Sequence, residues 1–339
     1  MNTGKHSIEW LYHEQLKIDK EWAIQTPKGF KWWADKNAQT IEVLDEVIGP
    51  DNDIGYLISV RTEFLSDLEI TDQALTMVNT ILMPFASMAG VVYDEKKRTL
   101  DLCSLVRVHQ GISGWMNPLI SLAAIIQIGE VAIMGSAMAE ALGAKESISG
   151  HPENGMRSHP DELAQGIADF IAPLGKQPCK WSEKEFHNAV EAHMKQPPAL
   201  LATAGELGFT VEFPFGETNS SLCQIMGSQP HPRYGNGLFL LQSFSIGRFS
   251  DPDGIRLALS LNAKELTSNP SGYGFGSYAY RDEKIHFTSF FPNAMYKPGL
   301  LPNLYFACAA RAKEMSLHLT DCDWTEKSFS LRRNAWAHL

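Results

Sequence analysis

The sequence has no C-x-x-C pair, no run of Lys and Arg longer than Lys96-Lys97-Arg98, and no apolar stretch at its amino terminus. Its five cysteines (Cys103, Cys179, Cys223, Cys308 and Cys322) are odd in number and far apart. Neither a disulfide framework nor a zinc knuckle is therefore expected, and a reducing cytoplasm suits the chain best. A net charge of −10 without basic clusters argues against a phosphate backbone or an anionic membrane surface as partner. Residues 1–14 are polar where a signal peptide needs an apolar core, so export by that route is not expected.

The chain has 339 residues, enough for two ordinary domains, and 44% apolar with 20% charged residues is a globular composition. The longest apolar stretch, Pro118 to Ala139, holds a single charge, Glu130. Its length suffices for a membrane span, but Gln127 and Glu130 near its middle and the lack of basic flanks favour a helix buried between protein layers. Glu130 is the candidate buried acid: burial raises a carboxyl pKa, although such a residue more often has a hydrogen-bond partner.

Motifs of catalysis and cofactor binding do not survive inspection. Gly272-Tyr273-Gly274-Phe275-Gly276 lacks the third glycine of a dinucleotide loop and leads into a strand. Gly111-Ile112-Ser113-Gly114 lacks the spacing of a nucleophile elbow. His187 and His193 fall on different faces of a helix, and His151, His159 and His231 each precede a proline, so no zinc triad is indicated. No catalytic, metal or cofactor residue is assigned. Cys103 and Cys308 read as core thiols.

What the sequence does contain is an internal repetition. An amphipathic helix (Ile8, Leu11, Tyr12, Leu16) precedes Gly29-Phe30-Lys31-Trp32, then the strand Tyr56 to Leu65, the helix ending Val78-Asn79, a hairpin at Tyr93 to Lys97 and a long helix. The same order returns after the pair Ser182/Glu185, which has capping-box spacing: Gly208 to Val211, Leu238 to Ile246, a helix with Leu261-Asn262, a hairpin at Tyr280 to Lys284, and a helix from about Leu301 to Leu319. Asn79 to Tyr93 spans 14 residues and Asn262 to Tyr280 spans 18, which puts a four-residue insertion in the second copy. The fold class expected is α+β: two tandem α-β-β-β-α-β-β-α units, residues 1–145 and 181–320, related by a pseudo-twofold axis. Each would be an antiparallel sheet with helices mainly on one face, joined by a linker (146–180) with one short helix and followed by a tail (321–339).

This order, with its Val-Asn and Leu-Asn helix ends and its Tyr-Asp-Glu-Lys type hairpin, resembles the YbjN-type domains that share the fold of type III secretion chaperones. The resemblance covers roughly residues 5–145 and 180–320. It implies a small, acidic, nucleotide-independent binder of an extended client segment, here a single-chain pseudo-dimer or a homodimer, with no catalytic residues to transfer. The chain's size, linker helix and tail depart from that family. Trp32 and Trp33 are adjacent, and the strand with Phe239 and Phe244 is apolar on both faces. Packing of repeat on repeat accounts for such strands most simply. The functional expectation is a protein- or peptide-binding surface at Trp32, Trp33, Phe239 and Phe244. The rival expectation is a small-ligand or enzyme pocket between the repeats.

Overall fold

The computed structural model describes residues 2–48, 53–82, 87–172, 177–194, 207–215, 219–246 and 249–319. The expected tail, 321–339, lies outside them. The first half runs α1 (Thr3–Trp10), β1 (Ala23–Thr26), β2 (Gly29–Trp33), β3 (Ala38–Ile48), β4 (Ile54–Ser66), α2 (Asp72–Leu82), β5 (Gly90–Asp94), β6 (Thr99–His109), α3 (Ser113–Leu142) and β7 (Lys145–Glu146). The connector holds α4 (Glu162–Ile171). The second half runs α5 (Glu183–Met194), β8 (Gly208–Phe215), β9 (Asn219–Met226), β10 (Gly237–Ser245), α6 (Asp251–Thr267), β11 (Ser277–Arg281), β12 (Lys284–Pro292) and α7 (Leu300–Leu319).

The chain is α+β with two antiparallel sheets. Their strand orders correspond: β2-β3-β4-β6-β5 in the first and β8-β9-β10-β12-β11 in the second. The first sheet departs from the expected five strands by adding β1 on the edge of β2 and β7 on the end of β4. Local chemistry sets the boundaries. Thr71, Asp161 and Ser250 accept hydrogen bonds from the first turns of α2, α4 and α6, and the Ser182/Glu185 pair caps α5 reciprocally. The long helix α3 stops at Gly143, whose φ of +63° suits glycine. The hairpins differ in length: residues 95–98 turn between β5 and β6, whereas Asp282 and Glu283 alone, both at positive φ, turn between β11 and β12.

In each half a buried glutamine joins the sheet to the closing helix. Gln39 on β3 donates to Thr62 Oγ1 and to the Ala124 carbonyl of α3, at 2.8 and 2.9 Å. Gln242 on β10 donates to Ser221 Oγ and to the Cys308 carbonyl of α7, at 3.0 and 2.8 Å. Around Gln39 the network extends from Trp32 Nε1 through Thr62 and Gln127 to Ser104 Oγ, which donates to the Met88 carbonyl. Buried polar groups cost little when so paired, and the pairings fix which face of each sheet meets its helix.

By length and composition α3 is one helix among the described residues capable of crossing a membrane, and two thirds of its most apolar window is buried inside the fold. The first sheet, α1 and α4 cover it, and Arg233, Tyr234 and Tyr273 of the second half reach it, so most of its surface is apolar.

The halves meet through an exchange of backbone bonds. Phe290 N on β12 donates to the Ser87 carbonyl just before β5, and Leu105 N on β6 donates to the Gly274 carbonyl just before β11, both at 3.3 Å. Gly274 has φ +61°, and a Cβ there would lie 1.8 Å from the Leu105 carbonyl oxygen. The glycine-rich stretch 272–276 thus serves backbone approach. The two asparagines expected at helix ends lie inside α2 and α6, which run on to Leu82 and Thr267, and both hold β11. Asn262 pairs with the N–H and C=O of Tyr278, and Asn79 with those of Tyr280. Two side-chain amides take the place of a neighbouring strand along this edge.

Candidate functional site

Of the four aromatic residues expected at a partner surface, the structure buries three. Trp32 is 1% exposed and gives its indole N–H to Gln39. Trp33, on the opposite face, is 3% exposed because the connector covers it: its Nε1 donates to Ser149 Oγ and the His151 ring stands edge-on at 5.2 Å. Phe244 is fully buried. The adjacent tryptophans of β2 thus reflect two covered faces, with connector residues that carry no strong pattern of their own supplying the second cover.

Phe239 behaves differently. Even-numbered residues of β10 point toward α7, as the Gln242–Cys308 bond requires, so Phe239, Leu241 and Ser243 face outward and remain half-buried. The register places Met226 opposite Phe239, Gln224 opposite Leu241 and Leu222 opposite Ser243. All three are also half-buried. Beyond them, Thr210 and Glu212 of β8 continue the same face opposite Gln224 and Leu222. The result is an apolar strip, Leu222, Met226, Phe239 and Leu241, bordered by Glu212 and by His286 of β12. Burial holds the His286 imidazole below its usual pKa. Edge strand β8 pairs with β9 alone among the described strands.

A second constellation lies where the halves meet. Glu130 of α3 accepts from Ser87 Oγ at 3.1 Å and from the Tyr234 hydroxyl at 3.0 Å. Arg233 donates to the Gly129 carbonyl at 2.8 Å. Burial raises the Glu130 carboxyl to about 7, with the two hydroxyl bonds and the Arg233 charge pulling the other way. Burial, and then the Glu130 charge, raise the Tyr234 phenol as well. The adjoining cavity, about 40 Å³ and lined by Val91, Leu102, Met134, Met138 and Ser277 among others, has room for roughly three waters.

Sequence reading identified Glu130 but missed Ser87 and Tyr234. A signal for Tyr234 was present: His231-Pro-Arg-Tyr-Gly235 repeats the form of His151-Pro-Glu-Asn-Gly155. Both fold alike. In each, the first and fifth residues exchange backbone bonds, the histidine Nδ1 accepts from the third and fourth backbone N–H groups, and the glycine has positive φ. His151 packs on Trp33, and His231 stacks on Tyr234 and leans on Phe290 at 4.9 Å.

Among the described residues no group of three or more His, Cys, Asp or Glu side chains is placed to hold a metal ion. Cys103, Cys223 and Cys308 are buried; contact with Cys308, followed by burial, raises the Cys223 thiol. Comparison with protein-family models, curated proteins and solved structures yields no match to the chain.

Proposed function

We propose that this protein is a non-enzymatic binder that holds an extended peptide or unfolded segment on the outward face of its second sheet. The observation that supports this reading is the strip Leu222, Met226, Phe239 and Leu241. Four large apolar side chains lie on adjacent strands, part-exposed, where the equivalent face of the first sheet carries the ion pairs Lys31–Glu63 and Arg61–Asp101. The edge of β8 adds backbone donors and acceptors of the kind an extended segment pairs with. A chain of net charge −10 suits a client that alternates apolar with basic residues. The cavity beside Glu130 supports the rival small-ligand reading poorly, since organic ligands fill pockets of about 300 Å³ or more.

The double variant Phe239→Asp/Leu241→Asp tests the proposal. The native protein at equimolar ratio is expected to suppress the light scattering of reduced, unfolded α-lactalbumin, and the variant to lose most of that effect while keeping its circular dichroism. Equal suppression by both proteins, or none by the native one, overturns the reading.

A further inference from the structure

The segment that carries Tyr234 joins β9 to β10 and crosses from the second half to the first. It is held by side chains more than by ladder bonds: Tyr234 reaches Glu130, Arg233 reaches the Gly129 carbonyl, and His231 rests on Phe290. Two of these three anchors end at adjacent residues of α3, and Glu130 also takes the Ser87 hydroxyl from the stretch before β5. One carboxyl group therefore ties together α3, the entry to β5 and the second half.

Its surroundings do not suit an anion. Around the cavity α2 presents Val78 and Ile81, β5 presents Val91, β6 presents Leu100 and Leu102, and α3 itself presents Met134 and Met138. Ser87 and Ser277 are neutral. The only charged or titratable partners facing Glu130 among the described residues are Arg233 and Tyr234, and the Arg233 guanidinium bonds to a backbone carbonyl rather than to the carboxylate. A protonated Glu130 meets this environment at little cost, because the Ser87 and Tyr234 hydroxyls can each give or take a hydrogen bond. An ionised Glu130 has two hydroxyl donors and no ion-pair partner, in an apolar cavity large enough to admit water.

We infer that residues 228–236 form a proton-operated latch over the junction of the two halves, closed while Glu130 is protonated and released when it ionises. The latch needs no client on the second sheet, although release uncovers Phe290 beside Phe239, its cross-strand neighbour. The direction follows from burial. The carboxyl sits at about 7 when closed and returns toward its ordinary 4.5 when water reaches it. Closure is therefore fully supported below about 4.5, weakens across the interval, and has lost its proton-linked support above about 7.

Amide hydrogen exchange of residues 228–236, corrected for the intrinsic chemical rate, reads this opening in the full-length protein. The open population is expected to rise about twentyfold between pH 5.5 and 7.5 in the native protein and to stay level in Glu130→Gln. A level native profile overturns the inference, as does an equal rise in both proteins. Infrared spectroscopy provides a check independent of that variant. The native protein should show a protonated carboxyl band at pH 6 that disappears with a midpoint near 7, and absence of the band at pH 6 also overturns the inference.

Discussion

Replacing Arg311 by methionine is expected to cost about 3–5 kcal/mol of stability, the range measured when one partner of a buried ion pair is removed. Arg311 on α7 is 2% exposed. Its Nη2 lies 2.7 Å from Glu265 Oε1 on α6, and its guanidinium stacks 3.5 Å from the centre of the Phe287 ring. Glu265 also accepts from the Tyr278 hydroxyl at 2.6 Å. Methionine preserves much of the volume but leaves Glu265 buried with one neutral donor. Thermal unfolding should fall by roughly 6–20 °C on the scale appropriate to large domains. The triple variant Arg311→Met/Glu265→Leu/Tyr278→Phe, which removes every member of the network, should recover most of the loss, because a buried pair gains little over a well-packed apolar replacement. If the single variant unfolds at the native temperature, the cluster does not hold α6 against α7.

Gly274→Ala should have an effect of similar size for a different reason. The added methyl would lie 1.8 Å from the Leu105 carbonyl oxygen and 2.8 Å from its carbon, both backbone atoms of β6 that cannot rotate away. The residue is also held at φ +61°, where alanine costs about 1–2 kcal/mol before any clash. The junction must open at this point or β6 must shift. Loss of at least 3 kcal/mol in chemical denaturation is expected, together with proteolysis between the halves under conditions that leave the native chain intact. Gly143→Ala is the control. It shares a positive φ of +63°, but its Cβ would have no neighbour within 4 Å, so only the conformational cost should appear.

These two sites show what the sequence made legible and what it did not. Period-two and helical patterning and the two tyrosine-led hairpins were enough to anticipate α+β architecture with antiparallel sheets, because each is a local signal, although the helices run past Asn79 and Asn262 to Leu82 and Thr267. The roles of Asn79 and Asn262 were not legible. Both brace the same strand, β11, and which half an asparagine serves is decided only by how the halves dock. The extra strands β1 and β7 also escaped notice, since four- and two-residue strands carry too little periodicity. Trp32 and Trp33 were assigned correctly to opposite faces, but the cover over Trp33 comes from Ser149 and His151, polar residues 116 and more positions away. Phe239 could be told from Phe244 only once Gln242 showed which face meets α7. Glu130 stood out as a lone charge in an apolar stretch, whereas its donors Ser87 and Tyr234 arrive from separate loops.

The bond from Asn79 to Tyr280 joins residues 201 positions apart. On a ribosome adding about 5–20 residues per second, the amino-terminal half would wait roughly 10–40 s for that contact. Through this interval β5 and the far end of β6 would lack their covering, a condition in which nascent chains recruit holdases or pair with one another. The rate of translation through the carboxy-terminal half should therefore influence how much of the protein reaches its native state.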